Sequence, residues 1–255
     1  MRLCVEGLEF KYDGAPVLDD IVFKVGGAEI IGVVGPNGAG KSTLIKLIDR
    51  ILTPRKGSIA LDGDDVLKMR RVTLAKKIGY IPQRISQSFP ATVFDVVLTG
   101  RRPHMGWVAG EKDIDKVIDI LQLLKLEDLA MEDFNELSGG QQQKVFVARA
   151  LAQETSVLLL DEPTSNLDIR HQLEVMDTIR AIVREKALAA LVAIHDLNLA
   201  SRYSDRVLLM KNGKVFAAGD PSTVFTEENI RMVYGVESIV KNDLASPYII
   251  PLSPI

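Results

Sequence analysis

The sequence is poor in cysteine: Cys4 is the single one among 255 residues. One thiol excludes an internal disulfide and a cysteine metal cluster. Cys4 sits in the alternating stretch LCVEGLEF, where it reads as a buried or half-buried small side chain. Such cysteine usage fits a reducing cytoplasm. Long apolar runs are also missing. A membrane helix needs about 18 such residues, and ALAALVAI at 187–194 fits a buried strand instead. The stretch MRLCVEGLEF contains no apolar signal core, so no secretory signal is expected. If the protein works at a membrane, another chain must supply the membrane part. Net charge is small at −3. That argues against nucleic acid as a partner, since phosphates favour clustered Lys and Arg. The Arg-Arg pairs at 70–71 and 101–102 read as solvated faces. Internal repeats and low-complexity segments are absent.

What is present suits one large α/β domain. The hydrophobic fraction is 47%, enough for a sizeable core. The first thirty residues alternate and turn, as an antiparallel hairpin or small sheet does. AEIIGVVG reads as a buried strand. TLIKLIDRIL places Leu44, Leu47, Ile48, Ile51 and Leu52 on one helical face. GSIALDG and KKIGYIPQ read as strands. Residues 84–136 differ in character, and DIDKVIDILQLLKL puts Ile114, Val117, Ile118, Leu121 and Leu124 at helical spacing. This segment reads as a helical lobe inserted into the core. A helix at QQQKVFVARALAQ, a strand at SVLLLDEP, a helix over 169–186, a strand at LAALVAIHD and a helix at LNLASRYS follow. Asn212-Gly213 between two strand-like runs signals a hairpin. The last thirty residues read as a small helical and extended tail. The expected division is 1–83 (N-terminal β subdomain and phosphate loop), 84–136 (helical lobe), 137–220 (remaining core) and 221–255 (tail).

Between the strand and the helix lies GPNGAGKST, residues 35–43. It fits G-x-x-x-x-G-K-[ST], a pattern that background glycine usage would produce by accident in about one such chain in a hundred. Gly35, Pro36, Asn37, Gly38, Ala39 and Gly40 would curl backbone N–H groups around phosphate oxygens, at a helix N-terminus whose dipole favours anions. Lys41 would reach the β- and γ-phosphates, and the Ser42 hydroxyl would hold Mg²⁺. VLLLDEPTS supplies a second half. Four apolar residues bury a strand, and Asp161 emerges at its C-terminal end, where open α/β sheets bind ligands. Asp161 would reach Mg²⁺, and Glu162 would polarise the attacking water. Together the two motifs say nucleoside triphosphate and Mg²⁺. Gln83 and His195 also follow strands at the same rim, one beside Mg²⁺ and the water, the other on the γ-phosphate. Tyr12 could stack on an adenine ring. His104 and His171 lack such context and read as surface or structural residues. LSGGQQQ, residues 137–143, is a second glycine-rich stretch before a helix, without a lysine. Either Ser138 caps that helix, or the stretch cradles a phosphate already held elsewhere.

In this order and at these distances, GPNGAGKST, Gln83, LSGGQQQ, VLLLDEP, SNLD at 165–168 and His195 resemble the nucleotide-binding subunits of ABC transporters. The resemblance covers nearly the whole chain. It implies a P-loop NTPase (RecA-like) α/β core with an N-terminal antiparallel β subdomain and an inserted α-helical subdomain. It also implies a head-to-tail homodimer with two ATP molecules at the interface. Each ATP would touch Lys41 of one chain and Ser138, Gly139, Gly140 and Gln141 of the other. By the same resemblance Glu162 is the general base, His195 a switch histidine, Asp168 a cross-subunit link, Thr43 an α-phosphate ligand, and Tyr12 the residue stacked on adenine. Gln142 and Lys144 stand where many relatives carry Arg. A narrower likeness, in QRISQSFPATVFDVVLTGRRPHMG and GDPSTVFTEENIRMVYGVE, is to importers of iron–siderophore complexes, haem and cobalamin. It implies a peripheral ATPase on the cytoplasmic face of the membrane, a dimeric permease gripped by the 84–106 loop, and a separate substrate-binding protein. Molybdate and tungstate importers share much of this pattern. A soluble ABC ATPase is the competing class, but ribosomal factors usually carry two cassettes and repair ATPases long coiled coils, and this chain shows neither. A regulatory switch that hardly hydrolyses is opposed by the intact Glu162 and His195.

Overall fold

The computed structural model describes residues 2–83, 90–165, 167–242 and 246–255. The chain begins with a hairpin of β1 (Leu3–Tyr12) and β2 (Ala15–Val25), then β3 (Glu29–Val34) and α1 (Lys41–Ile48), then β4 (Lys56–Leu61) and the short β5 (Asp64–Asp65). Next come α2 (Arg71–Ala75), β6 (Ile78–Ile81), α3 (Val93–Thr99), α4 (Glu111–Leu123) and α5 (Gly139–Ala152). A strand–helix alternation follows: β7 (Val157–Asp161), α6 (Ile169–Glu185), β8 (Ala189–Ala193), α7 (Leu197–Tyr203) and β9 (Arg206–Lys211), with β10 (Lys214–Gly219) returning from it. The chain closes with α8 (Pro221–Val224), α9 (Glu227–Tyr234), β11 (Val236–Lys241) and β12 (Tyr248–Pro254).

Among the described residues three sheets form. β2-β1-β4-β5 is antiparallel, and β10-β9-β3-β8-β7-β6 is parallel except for β10. β11 and β12 pair antiparallel, so the tail contains a small sheet of its own. The Asn212-Gly213 hairpin forms between β9 and β10, with both residues at positive φ (49° and 77°).

The parallel strands are apolar along their centres, with charged residues such as Glu29, Asp161, Arg206 and Lys211 only at their ends, because both faces are covered. On one face Ile31, Val33, Leu159 and Leu191 join the antiparallel sheet, with α1 between the two. On the other Ile30, Val34, Leu158, Leu160 and Val192 meet α5, α6 and α7. Helix α1 buries Leu44, Ile45, Leu47 and Ile48, each contributing about 2 kcal/mol of transfer energy. It ends at Ile48, four residues before the apolar pattern does. Arg50 takes a positive φ of 57°, and Ile51 turns outward and half-exposed. The expected face through Ile51 and Leu52 is therefore cut short by the turn.

Two further expectations change. In α4 the buried residues are Val117, Ile120 and Leu121, whereas Ile114 and Ile118 are about two-fifths exposed. The helix is apolar over more than the stripe that meets α3 and α5, so the expected set includes two residues outside that stripe. Arg101 is not a solvated charge; it is buried. Its guanidinium donates to Asp113 Oδ1 (3.0 Å), the Ala152 carbonyl (2.8 Å) and Glu154 Oε2 (2.7 Å), tying the segment after α3 to α4 and to the end of α5. Arg102 next to it is exposed, as expected. Cys4 is buried in β1. Among the described residues no helix is long and apolar enough to cross a membrane.

Candidate nucleotide site

The GPNGAG loop joins the end of β3 to the start of α1. Gly35 lies so close to β9 that a Cβ there would stand 2.3 Å from the Met210 carbonyl oxygen, so no side chain fits. Lys41, the first residue of α1, is buried, and its ammonium curls back into the loop. Nζ donates to the carbonyls of Gly35 (2.7 Å) and Pro36 (3.2 Å). Burial lowers the Lys41 pKa, and the nearby Glu162 and Asp161 oppose that shift. A cavity of about 170 Å³ lies over the loop, lined by residues 37–43 with Val17 and Glu162. Thr43 belongs to that wall.

The second strand brings its carboxylates to the same mouth. Ser42 Oγ donates to Asp161 Oδ1 at 2.7 Å. Asp161 ends β7, where burial on both sides leaves it 3% exposed. The next residue, Glu162, takes a left-handed conformation (φ 54°), which costs a non-glycine residue about 1 kcal/mol. Strain of this kind gathers at functional sites. Glu162 is itself buried, and its carboxylate is held from two sides. Gln83 Nε2, two residues beyond β6, donates to Oε2, and His195 Nε2, two residues beyond β8, lies 2.5 Å from Oε1. Three adjacent parallel strands thus deliver Gln83, Asp161 with Glu162, and His195 to one place beside the phosphate loop.

The other expected site residues lie elsewhere. Tyr12 ends β1, 45% exposed, with its ring edge-on to Phe10 at 4.7 Å between centroids. It does not line the cavity; Val17 of β2 does. Sequence gave no signal for Val17, an ordinary apolar strand residue. Ser138, Gly139, Gly140 and Gln141 open α5, and none of them lines the phosphate-loop cavity. Ser138 is the N-cap: its hydroxyl accepts from Gln141 N (3.4 Å), and Gln141 Oε1 accepts from Ser138 N (2.9 Å). Ser138 and Gly139 are exposed, whereas Gly140 is buried. Gln142 bonds the Phe134 carbonyl (3.2 Å), and Lys144 stands 3.6 Å from Glu174 of α6. Asp168 caps α6, accepting from His171 N (2.9 Å) and contacting its Nδ1 (2.8 Å). These contacts hold its carboxylate below the usual range. Within residues 84–106, 84–89 lie outside the described residues, as does Asn166 of SNLD.

A strand–loop–helix with a buried lysine, beside a strand ending in Asp-Glu, defines the class as a P-loop nucleoside triphosphatase. Residues 18–165 match the ABC transporter family, and the chain belongs to it. It is an ATP-binding subunit of that family, and its activity is ATP hydrolysis. An ABC transporter ATP-binding protein of Methanocaldococcus jannaschii is 47% identical over 99% of this chain and 98% of its own length. The cobalamin import ATP-binding protein of Halobacterium salinarum is 39% identical over 96% of this chain, which spans 62% of that protein's length. Among solved structures, a metal-chelate type ABC transporter in an inward-facing conformation matches with a TM-score of 0.87 at 29% identity, covering 98% of this chain and 97% of that one. A dimeric post-hydrolysis ATP-binding cassette bound to ADP and Pi matches with a TM-score of 0.74 at 27% identity, covering 86% of this chain and 98% of that one.

Proposed function

We propose that the chain is the ATP-hydrolysing subunit of an importer that takes up a metal chelate of the iron–siderophore, haem or cobalamin type. It works as a head-to-tail pair, docked on the cytoplasmic face of a dimeric membrane permease that a separate binding protein supplies. The observation that carries the catalytic part is the gathering of Gln83, Asp161, Glu162 and His195 at the mouth of the phosphate loop. The exposed, lysine-free helix start at Ser138 supports the paired arrangement. It is an anion cradle outside its own chain's ATP cavity, suited to the γ-phosphate bound by a second copy. The likeness to a cobalamin import protein and to a metal-chelate transporter supports the cargo class.

In this mechanism the loop amides of residues 35–43 hold the phosphates, and Lys41 swings from the loop carbonyls to the β- and γ-oxygens. Ser42, Asp161 and Gln83 offer hydroxyl, carboxylate and amide oxygens, the hard donors that Mg²⁺ takes. The adjacency of Ser42 and Asp161 at 2.7 Å fits one small ion. When bound, Mg²⁺ offsets charge on the β- and γ-phosphates. Glu162 orients the attacking water and accepts its proton, while His195 touches the γ-phosphate and holds Glu162 in place. Tyr12 stacks on the adenine, and Asp168 lies at the chain–chain contact. ATP binding closes the pair, closure pulls on the permease through the helical lobe, and hydrolysis reopens it.

The test is Glu162→Gln. Hydrolysis should fall at least about 100-fold, as expected for a lost general base. The variant should form an ATP-dependent dimer by size-exclusion chromatography. Unchanged hydrolysis would refute the base assignment. Recovery of the native protein with soluble partners alone, and never with a multi-spanning membrane protein, would refute transport.

A further inference from the structure

The first turn of α6 touches two segments that the proposed mechanism treats separately. One is the loop from Glu162 to Asp168, which continues from the hydrolytic carboxylate. The other is the start of α5, which serves the opposite ATP. A Cβ built on Gly140 would stand 2.6 Å from His171 Cδ2 and 2.9 Å from Cγ, so the imidazole fills the space that the missing side chain leaves. Gly139 likewise faces Leu167 Cδ2, at 3.3 Å from an added Cβ. The same imidazole is fixed from its other side by Asp168, through Nδ1 to Oδ1 at 2.8 Å. One residue on, the Gln172 amide donates to the carbonyls of Thr164 (3.4 Å) and Leu167 (3.0 Å). Lys144 of α5 and Glu174 of α6 close the contact one turn further along.

We infer that His171 is a positioning residue, clamping the glycine pair at the start of α5 to the loop that leaves the hydrolytic carboxylate. The clamp makes the two move as one unit. A displacement of Glu162 on hydrolysis is then passed to the amides of Gly139 and Gly140, which hold the other ATP. The geometry explains why position 140 is glycine: any side chain would expel the ring, and with it the hold on Asp168. The inference rests on the paired-chain reading for its catalytic consequence, though the clamp itself lies within one chain.

The experiment compares the full chain with His171→Ala, His171→Asn and, as a control away from the site, His104→Ala. Binding of a fluorescent ATP analogue to the monomer should stay within about two-fold for all four, because the phosphate loop is untouched. For His171→Ala, kcat should fall at least about ten-fold with KM nearly constant, the pattern of an interaction needed after binding. His171→Asn, whose amide can replace the Nδ1 contact, should recover most of kcat. Hydrogen exchange in the nucleotide-free monomer should quicken over residues 137–143 in His171→Ala alone. Three results would overturn the assignment. These are kcat within two-fold of the parent, unchanged exchange at 137–143, or parallel losses of ATP binding and melting temperature, which mean a merely structural role. The paired-chain reading is tested separately by adding Glu162→Gln. If that variant alone never dimerises with ATP, the pairing fails while the exchange result still decides the clamp. If it dimerises, the pairing stands, and the kcat and exchange results decide the clamp.

Discussion

Asp49 closes α1, its N–H bonded to the Ile45 carbonyl, and burial pushes its carboxyl up to about 7 against a partial counter-pull from Arg71. The sign of the consequence is fixed by linkage. Between the ordinary value of 3.8 and about 7, the folded chain holds a proton that the unfolded chain has lost. Asp49 therefore costs stability progressively as pH rises through that window and remains costly above it. The cost at pH 8 is at most about 4 kcal/mol. Asp49→Asn should raise the melting temperature at pH 8 and change it little at pH 4. Equal effects at both pH values would mean that folding does not shift the Asp49 carboxyl. The neighbouring Tyr80 hydroxyl is pushed up to about 12, by burial and then by Asp161 and Asp49. Asparagine at 49 removes one of those charges, so Tyr80 should also titrate lower, which ultraviolet absorbance can follow.

At the scale of elements, the Arg101 cluster adds a polar tie to the apolar joint between α3, α4 and α5. Glu154, pulled down to about 2 chiefly by its hydrogen bond to Arg101, stays ionised through the physiological range. Arg101→Ala takes a donor from the buried Ala152 carbonyl and from two carboxylates, of which Glu154 keeps Lys116 at 2.9 Å and Asp113 keeps the Gly110 N–H at 3.2 Å. Loss of the buried bond to the Ala152 carbonyl and of the guanidinium's packing costs about 1–3 kcal/mol. Urea unfolding should register that loss, whereas Arg102→Ala should stay within about 0.5 kcal/mol of the parent. Equal effects would restore the reading of both arginines as solvated. This joint shows what the sequence conceals. An Arg-Arg pair reads as surface because its acceptors at 113, 152 and 154 lie far along the chain, and nothing local announces them. The same holds for the face of α4, where Ile114 and Ile118 satisfy the helical period as well as the buried Ile120 does. Helix α3 reads only as part of a helical lobe, although the T-x-x-D of Thr92 and Asp95 opens it as a capping box whose two bonds both form. The mouth of the site, by contrast, was legible, because buried parallel strands must end somewhere. Polar residues at such ends or up to two positions past them, Gln83, Asp161, Glu162 and His195, could be placed on one rim without coordinates. The partner of Gly140 could not. His171 carries no sequence signal beyond following an N-cap aspartate, and only the crossing of α5 and α6 gives it a role.

For the whole molecule, the separation of the phosphate loop from the start of α5 carries the strongest consequence. If the second copy supplies Ser138 to the first copy's ATP, cysteines placed at the two positions link chains rather than join within one. The native chain offers a clean background, since its sole thiol, Cys4, is buried in β1. Asn37→Cys and Ser138→Cys, each introduced in the Glu162→Gln chain that should trap ATP, then form a mixing experiment. A head-to-tail pair apposes position 37 of one protomer with 138 of its partner, and two-fold symmetry repeats that contact at the other site. Neither single-cysteine chain alone should form a disulfide dimer efficiently, because like positions lie at opposite sites. Their mixture should, and only with ATP present. About half of the pairs formed on random mixing contain both cysteines, and each such pair apposes them at one of its two sites. A cross-linked band near half of the ATP-dependent dimer is therefore the expected yield on a denaturing gel. Cross-linking that ignores ATP, or that appears as readily in the unmixed chains, would contradict this pairing and return the start of α5 to the status of a helix cap.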